Sequence, residues 1–215
     1  TFDFLEGAKE VLKNEAFRPY LVLVTAFRIG IDTVVVVIPY VVTAVMGGTE
    51  GDAAIIQVIV LLGSVVLFPL VNWLSVKYGK KAVTIWGSAG FAIILPLVFF
   101  LGKVPGVDPM VQGYILFGFA AFPVAVLSIT PRPILADVID HDEKTTKMRR
   151  EALYNGMEGL FTRSASGFSW VLCSMLFAFF GKSAENSLGI SLAGPVGGVF
   201  VFIGLMAFRK YPFEK

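Results

Sequence analysis

The chain has 215 residues, 56% of them hydrophobic, with 20 Phe, 22 Gly, a mean hydropathy of +0.77 and only 16% charged residues. Soluble domains carry about 25% charged residues, and one of this size has too little interior to hide so much apolar surface, so the composition specifies a bilayer protein. One Cys excludes a disulfide scaffold, and a net charge of +2 without a basic cluster gives no nucleic-acid partner.

The segment 1–18 comes first. Phe2, Leu5, Val11, Leu12 and Phe17 alternate there with Glu6, Lys9, Glu10 and Lys13, the pattern of an amphipathic helix lying on a membrane face. It has no small-residue cleavage site, so it is not a signal peptide. Thr1 is not an initiator Met, and an upstream segment is expected.

A hydrocarbon core of about 30 Å takes roughly 20 apolar residues per helix. Six runs meet that length, near 20–45, 53–76, 82–101, 111–130, 152–180 and 188–208. The β-branched run Val34 to Ile38 has strand character, but spans this long exceed a barrel strand. The reading is an all-α membrane protein whose six-helix domain covers 19–215. Pro39, Pro69, Pro96 and Pro123 fall inside spans as candidate bends, and Gly194 and Gly198 form a GxxxG suited to close helix packing.

Charge is asymmetric across the spans. One side collects Lys9, Lys13, Arg18, Lys77, Lys80, Lys81, Arg132, Lys144, Lys147, Arg149, Arg150, Arg209, Lys210 and Lys215. The other side has only Lys103 and Lys182, beside Glu50, Asp52, Asp108 and Glu185. Positive loops are cytoplasmic, so a multi-pass protein with both ends in the cytoplasm is expected, in a plasma or inner membrane.

Ionisable groups at bilayer depth cost several kcal/mol, about 2.5–3.5 on insertion scales, and mark candidate sites. Arg28 and Asp32 lie in the first span, four apart and able to pair on one helix face. Arg163 lies in the fifth span among Thr162, Ser164, Ser166 and Ser169, and Glu158 is shallower in the same span. Arg28 and Arg163 are about 12–16 Å deep at 1.5 Å per residue. They are expected to face a shared polar cavity. The alternative for Arg28 and Asp32 is an intrahelical pair that only fixes packing. Nothing points to catalysis or metal: there is no His/Glu metal motif and no G-x-S-x-G, and His141 is the lone His.

Two polar connections carry motifs. The first, Lys77-Tyr78-Gly79-Lys80-Lys81, resembles the major facilitator loop D-R-x-G-R-R/K, with Val76 at the acidic position. The second runs from Ala136 and Asp137 through Asp140 and Glu143 to Arg149 and Glu151, and reads as a loop between the fourth and fifth spans. It resembles the glycoside–pentoside–hexuronide:cation symporter family, the melibiose-permease-like branch of the major facilitator superfamily. That family has A-D-x-x-D, a Glu three residues on, R-x-E, and a Lys where Arg163 stands.

The resemblance implies one six-helix half, the C-terminal domain, of a major facilitator fold. It implies a cation-coupled symporter using alternating access, with a sugar or glycoside as default small-molecule substrate. The N-terminal six-helix half is then the partner, besides membrane lipids, and the coupling ion, Na+ or H+, binds mainly there; no other cofactor is expected. Arg163, Asp32, Arg28, Glu158 and Ser128 are the expected cavity residues. Ser128 stands where the family has a sugar-binding aromatic, and a lysolipid-moving branch is the alternative. A non-transporting or homodimerising membrane module is the alternative of another class. Asp137, Asp140, Glu143, Arg149, Glu151, Lys77, Gly79, Lys80 and Lys81 form the expected cytoplasmic gate, whose charges pair across neighbouring helices in one state and separate in another.

Overall fold

The computed structural model describes residues 4–213. Phe2 of the amphipathic pattern lies outside them. Among the described residues the chain is helical throughout: α1 (Phe4–Lys13), α2 (Phe17–Tyr40), α3 (Glu50–Tyr78), α4 (Lys80–Leu97), α5 (Pro109–Ile129), α6 (Pro131–Thr146), α7 (Glu151–Phe180) and α8 (Leu188–Phe208). Six stretches are long and apolar enough to cross a bilayer, the fourth made of α5 and α6 together.

Local chemistry sets the ends. Asn14 Oδ1 accepts from the amides of Ala16 and Phe17, so α2 begins at Phe17 rather than within the preceding segment. Thr49 and Asp52 form a capping box that starts α3, and Asp108 accepts from the Met110 amide to start α5. Gly79 separates α3 from α4 at φ +87°, a conformation that an L side chain resists. After Pro39 the α2 backbone passes into a π-helical turn over Val41–Val45, and after Pro96 α4 tightens into a 3₁₀ turn over Val98–Phe100.

The polar stretch after Thr130 is not the loop its composition suggests. Pro131 opens α6, where its missing N–H costs no helix bond. Ile134, Leu135, Val138 and Ile139 form a stripe buried against α1, α2, α7 and the α8 end. Asp137, Asp140 and Glu143 therefore stand on a helix. Only Lys147–Arg150 is irregular, with Lys147 left-handed at φ +60°.

α2 is the axis of the bundle and packs chiefly on α8 and α7, while α4 packs on α8 and α5. Two apolar cores cap its ends. Phe17, Tyr20, Leu23, Tyr154 and Phe208 fill the core at the basic face, and Ile38, Val42, Ile56, Cys173 and Ile190 fill the opposite one. By contrast only 17% of the apolar window of α3 is buried, against 61% in α2. α8 meets α4 closely because both residues of the GxxxG lack side chains: a Cβ on Gly198 would stand 2.7 Å from Pro96 Cδ, and one on Gly194 would strike the Leu95 carbonyl.

Gly194→Leu is therefore expected to separate α4 from α8 at a cost of about 1–3 kcal/mol, read as a lower melting temperature in detergent. Gly118→Ala, where an added Cβ meets open space, should melt like the parent. Equal melting of the two variants contradicts the close approach.

Candidate functional site: a polar seam between α2 and α7

Arg28 and Asp32 are one turn apart on α2, and Arg28 Nε donates to Asp32 Oδ2 at 2.8 Å. The same N–H also reaches Ser166 Oγ on α7 at 2.7 Å. The pair is thus more than intrahelical. Asp32 is buried, while the Arg28 side chain keeps 49% of its surface exposed. Deeper in, Ser169 Oγ donates to the Ile29 carbonyl at 3.4 Å. Shallower, the Tyr20 hydroxyl donates to Glu158 Oε2 at 3.0 Å. At the basic rim Asn14 Nδ2 donates to the Tyr154 hydroxyl at 2.8 Å. Three polar contacts thus fasten α7 along α2, and a fourth ties it to the turn between α1 and α2.

The five expected cavity residues divide. Arg28, Asp32 and Glu158 belong to the seam, with Glu158 committed to Tyr20. Arg163 is exposed, and no hydrogen bond or ion pair engages it among the described residues. On α7 it stands three residues before Ser166 and so on the Arg28 flank. Ser128 is also exposed, and its hydroxyl donates to the Val124 carbonyl one turn back, so it belongs to α5 and not to the seam. Sequence reasoning missed Asn14, Tyr20 and Tyr154, because a Tyr near a span end reads as an interfacial anchor.

The nine expected gate residues divide too. Lys80 Nζ pairs with Asp137 Oδ2 at 2.6 Å, linking α4 to α6 with both side chains about one-third exposed. Arg149 pairs locally, with Glu143 at 3.0 Å and Glu151 at 3.1 Å. These hydrogen bonds and charges, Glu151 first, hold the guanidinium pKa above its ordinary value. Lys77 sits over the Trp73 and Tyr78 rings, at 4.8 and 5.1 Å from their centroids. Asp140 and Lys81 take part in no ion pair among the described residues, and Gly79 supplies the turn.

A further bridge was not foreseen: Arg150 holds Glu10 of α1 at 2.8 Å. Beside it a cleft of about 520 Å³ is lined by Asn14, His141, Asp142, Arg150 and Phe213. The His141 ring rests on Phe213, with centroids 4.9 Å apart. On α8's exit, burial and the charge of Asp137 push the Tyr211 hydroxyl pKa up, so it stays neutral across the physiological range. Among the described residues no cluster of His, Cys, Asp and Glu has metal-binding geometry.

Six spans with a polar seam inside them define one half of a membrane transporter fold. Residues 1–212 match the family described as MFS/sugar transport protein, and the chain belongs to that family. The all-helical six-span bundle is half of a major facilitator fold. Among proteins of known identity, the chain is similar to the sodium-dependent lysophosphatidylcholine symporter 1-A of Danio rerio, 24% identical over 180 residues. That match covers 78% of this chain and 32% of the relative, so the chain spans about a third of the relative's length.

Lys80→Met and Asp137→Asn are each expected to destabilise the fold. In a double-mutant cycle on thermal melts their coupling should be about 1 kcal/mol and shrink in high salt. A coupling of zero at low salt removes this pair as a lock between α4 and α6.

Proposed function

We propose that this chain is the C-terminal six-helix half of a cation-coupled symporter working by alternating access, in a cell membrane with both chain ends cytoplasmic. An N-terminal half completes the cavity and holds most ligands of the coupling ion, Na+ or H+. The observation that carries the reading is Arg163, an exposed guanidinium within a membrane-spanning helix, on the flank of α7 that binds Arg28. An ionised group at that depth is costly unless it faces water, a substrate or a partner charge.

Asp32 compensates Arg28, which leaves Arg163 as the free positive charge of the seam. This arrangement suits a substrate with an anionic group, which a guanidinium binds through paired, charge-assisted hydrogen bonds. A lysolipid-type amphiphile, with its phosphate at Arg163, fits better than a sugar. Ser128 offers no ring for stacking on a sugar, and the similar protein is named for lysophosphatidylcholine. The sugar reading keeps the family's description in its support. Lys80–Asp137 and the Arg149 cluster hold the helix ends that frame the cytoplasmic gate.

In the full-length transporter, Arg163→Gln is expected to cut cation-driven lysolipid uptake by roughly 10–100-fold without changing membrane insertion or melting temperature. Arg163→Lys should recover part of the rate. Unchanged uptake by Arg163→Gln removes this residue from the cavity, and uptake of hexosides but not lysolipids by the parent overturns the substrate assignment.

A further inference from the structure

On the flank of α7 away from Arg163 the surface is apolar and notched. Phe161 and Arg163 are two residues apart and so roughly 200° apart around the helix. Phe161 lines a groove of about 220 Å³ together with Val22, Thr25 and Ile29 of α2 and Phe200 and Ile203 of α8. The seam bonds from Ser166 and Ser169 to α2 run along α7 between this groove and the Arg163 flank. The groove is thus separate from the proposed transport cavity.

The groove has a charged rim. Arg18 is exposed on α2 at the basic face, and the steps from Arg18 to Val22, Thr25 and Ile29 are four, three and four residues. That spacing puts the guanidinium in line with the α2 wall, about one turn nearer the membrane surface. Lys210 is exposed two residues beyond α8 and seven past Ile203, and its amide continues the helical turn to the Ala207 carbonyl at 3.1 Å. Neither cation pairs with a carboxylate among the described residues. Two cations over an apolar notch match one molecule, with a phosphate at the top and a hydrocarbon chain below.

We propose that this groove is a seat for an anionic phospholipid of the leaflet on the basic face. One acyl chain fills the notch between α2, α7 and α8, and the phosphate lies between Arg18 and Lys210. Chain burial against Phe161, Phe200 and Ile203 removes apolar surface that α2 otherwise leaves open beside α7. The two cations supply the attraction that basic side chains exert at an anionic membrane surface. The seat is independent of the substrate assignment, because it shares no residue with the cavity.

The test uses the full-length transporter, stripped of lipid in detergent and titrated with phosphatidylglycerol or with phosphatidylcholine of the same chains. Native mass spectrometry then counts the lipid retained. One phosphatidylglycerol per chain is the expected result. Val22→Trp, which fills the notch, should abolish that retention. The double variant Arg18→Gln/Lys210→Gln should weaken it about tenfold and leave phosphatidylcholine unaffected, and Arg163→Gln should retain lipid like the parent. Ile203→Trp, which replaces an already exposed side chain, carries the test if Val22→Trp lowers the melting temperature. Parental retention by the groove and rim variants overturns the seat. So does a photo-crosslinker at position 203 that captures a helix of the other half in place of lipid.

Discussion

The bundle depends on how Arg28 is accommodated. α2 is an apolar helix and its guanidinium lies within the membrane-spanning stretch, where an unpaired cation is costly. The Nε–H is shared between Asp32 on the same helix and Ser166 on α7, and that sharing determines which helix lies beside α2. Once Ser166 is at Arg28, the helical repeat brings Ser169 to the Ile29 carbonyl and Glu158 to Tyr20. The register of α7 follows from one charge, and with it the two outward flanks of α7. One bears Arg163 and the other bears Phe161.

Apolar packing then closes the ends around this polar middle. The core at the basic face joins α1, α2, α6, α7 and the α8 end, and the opposite core joins α2, α3, α5, α7 and α8. Between them glycines bring helices together, as at Gly204, where a Cβ would stand 2.6 Å from Ala26 Cβ on α2. Bilayer helices gain little from hydrophobic association, because lipid is as apolar as Leu, so close backbone approach and interhelical hydrogen bonds carry the pairing. The low burial of α3 fits the same physics. A helix lined by Leu61, Leu62, Val65 and Val66 needs no cover from this half when lipid or another half can meet it.

The spans were legible because hydropathy over about 20 residues is a strong and local signal. Arg28, Asp32 and Arg163 were legible for the converse reason, as charges in apolar surroundings. What failed was the stretch after Thr130, where high polarity masked α6. The stripe Ile134, Leu135, Val138 and Ile139 has helical spacing and was the available signal. The bridges Tyr20–Glu158, Asn14–Tyr154 and Arg150–Glu10 join residues separated by about 140 positions. Such long-range pairs leave no mark in any local window of sequence.

The charge pairs at the basic face bear on how such a half moves. Lys80 and Asp137 pair across neighbouring helices, α4 and α6. Arg149 in the short connection bridges Glu143 near the end of α6 to Glu151 at the start of α7. A half that rocks as a rigid body keeps all of these pairs, because none leaves that body. A ligand shifts such an equilibrium only through contacts that differ between the states. The charges able to report on state are therefore those that this half leaves open at its surface. Asp140 and Lys81 meet that condition, whereas Lys80 and Asp137 are already committed to each other. In the proposed transporter the paired residues of the motif hold the shape of this half, and the open ones are where a second half would act on it.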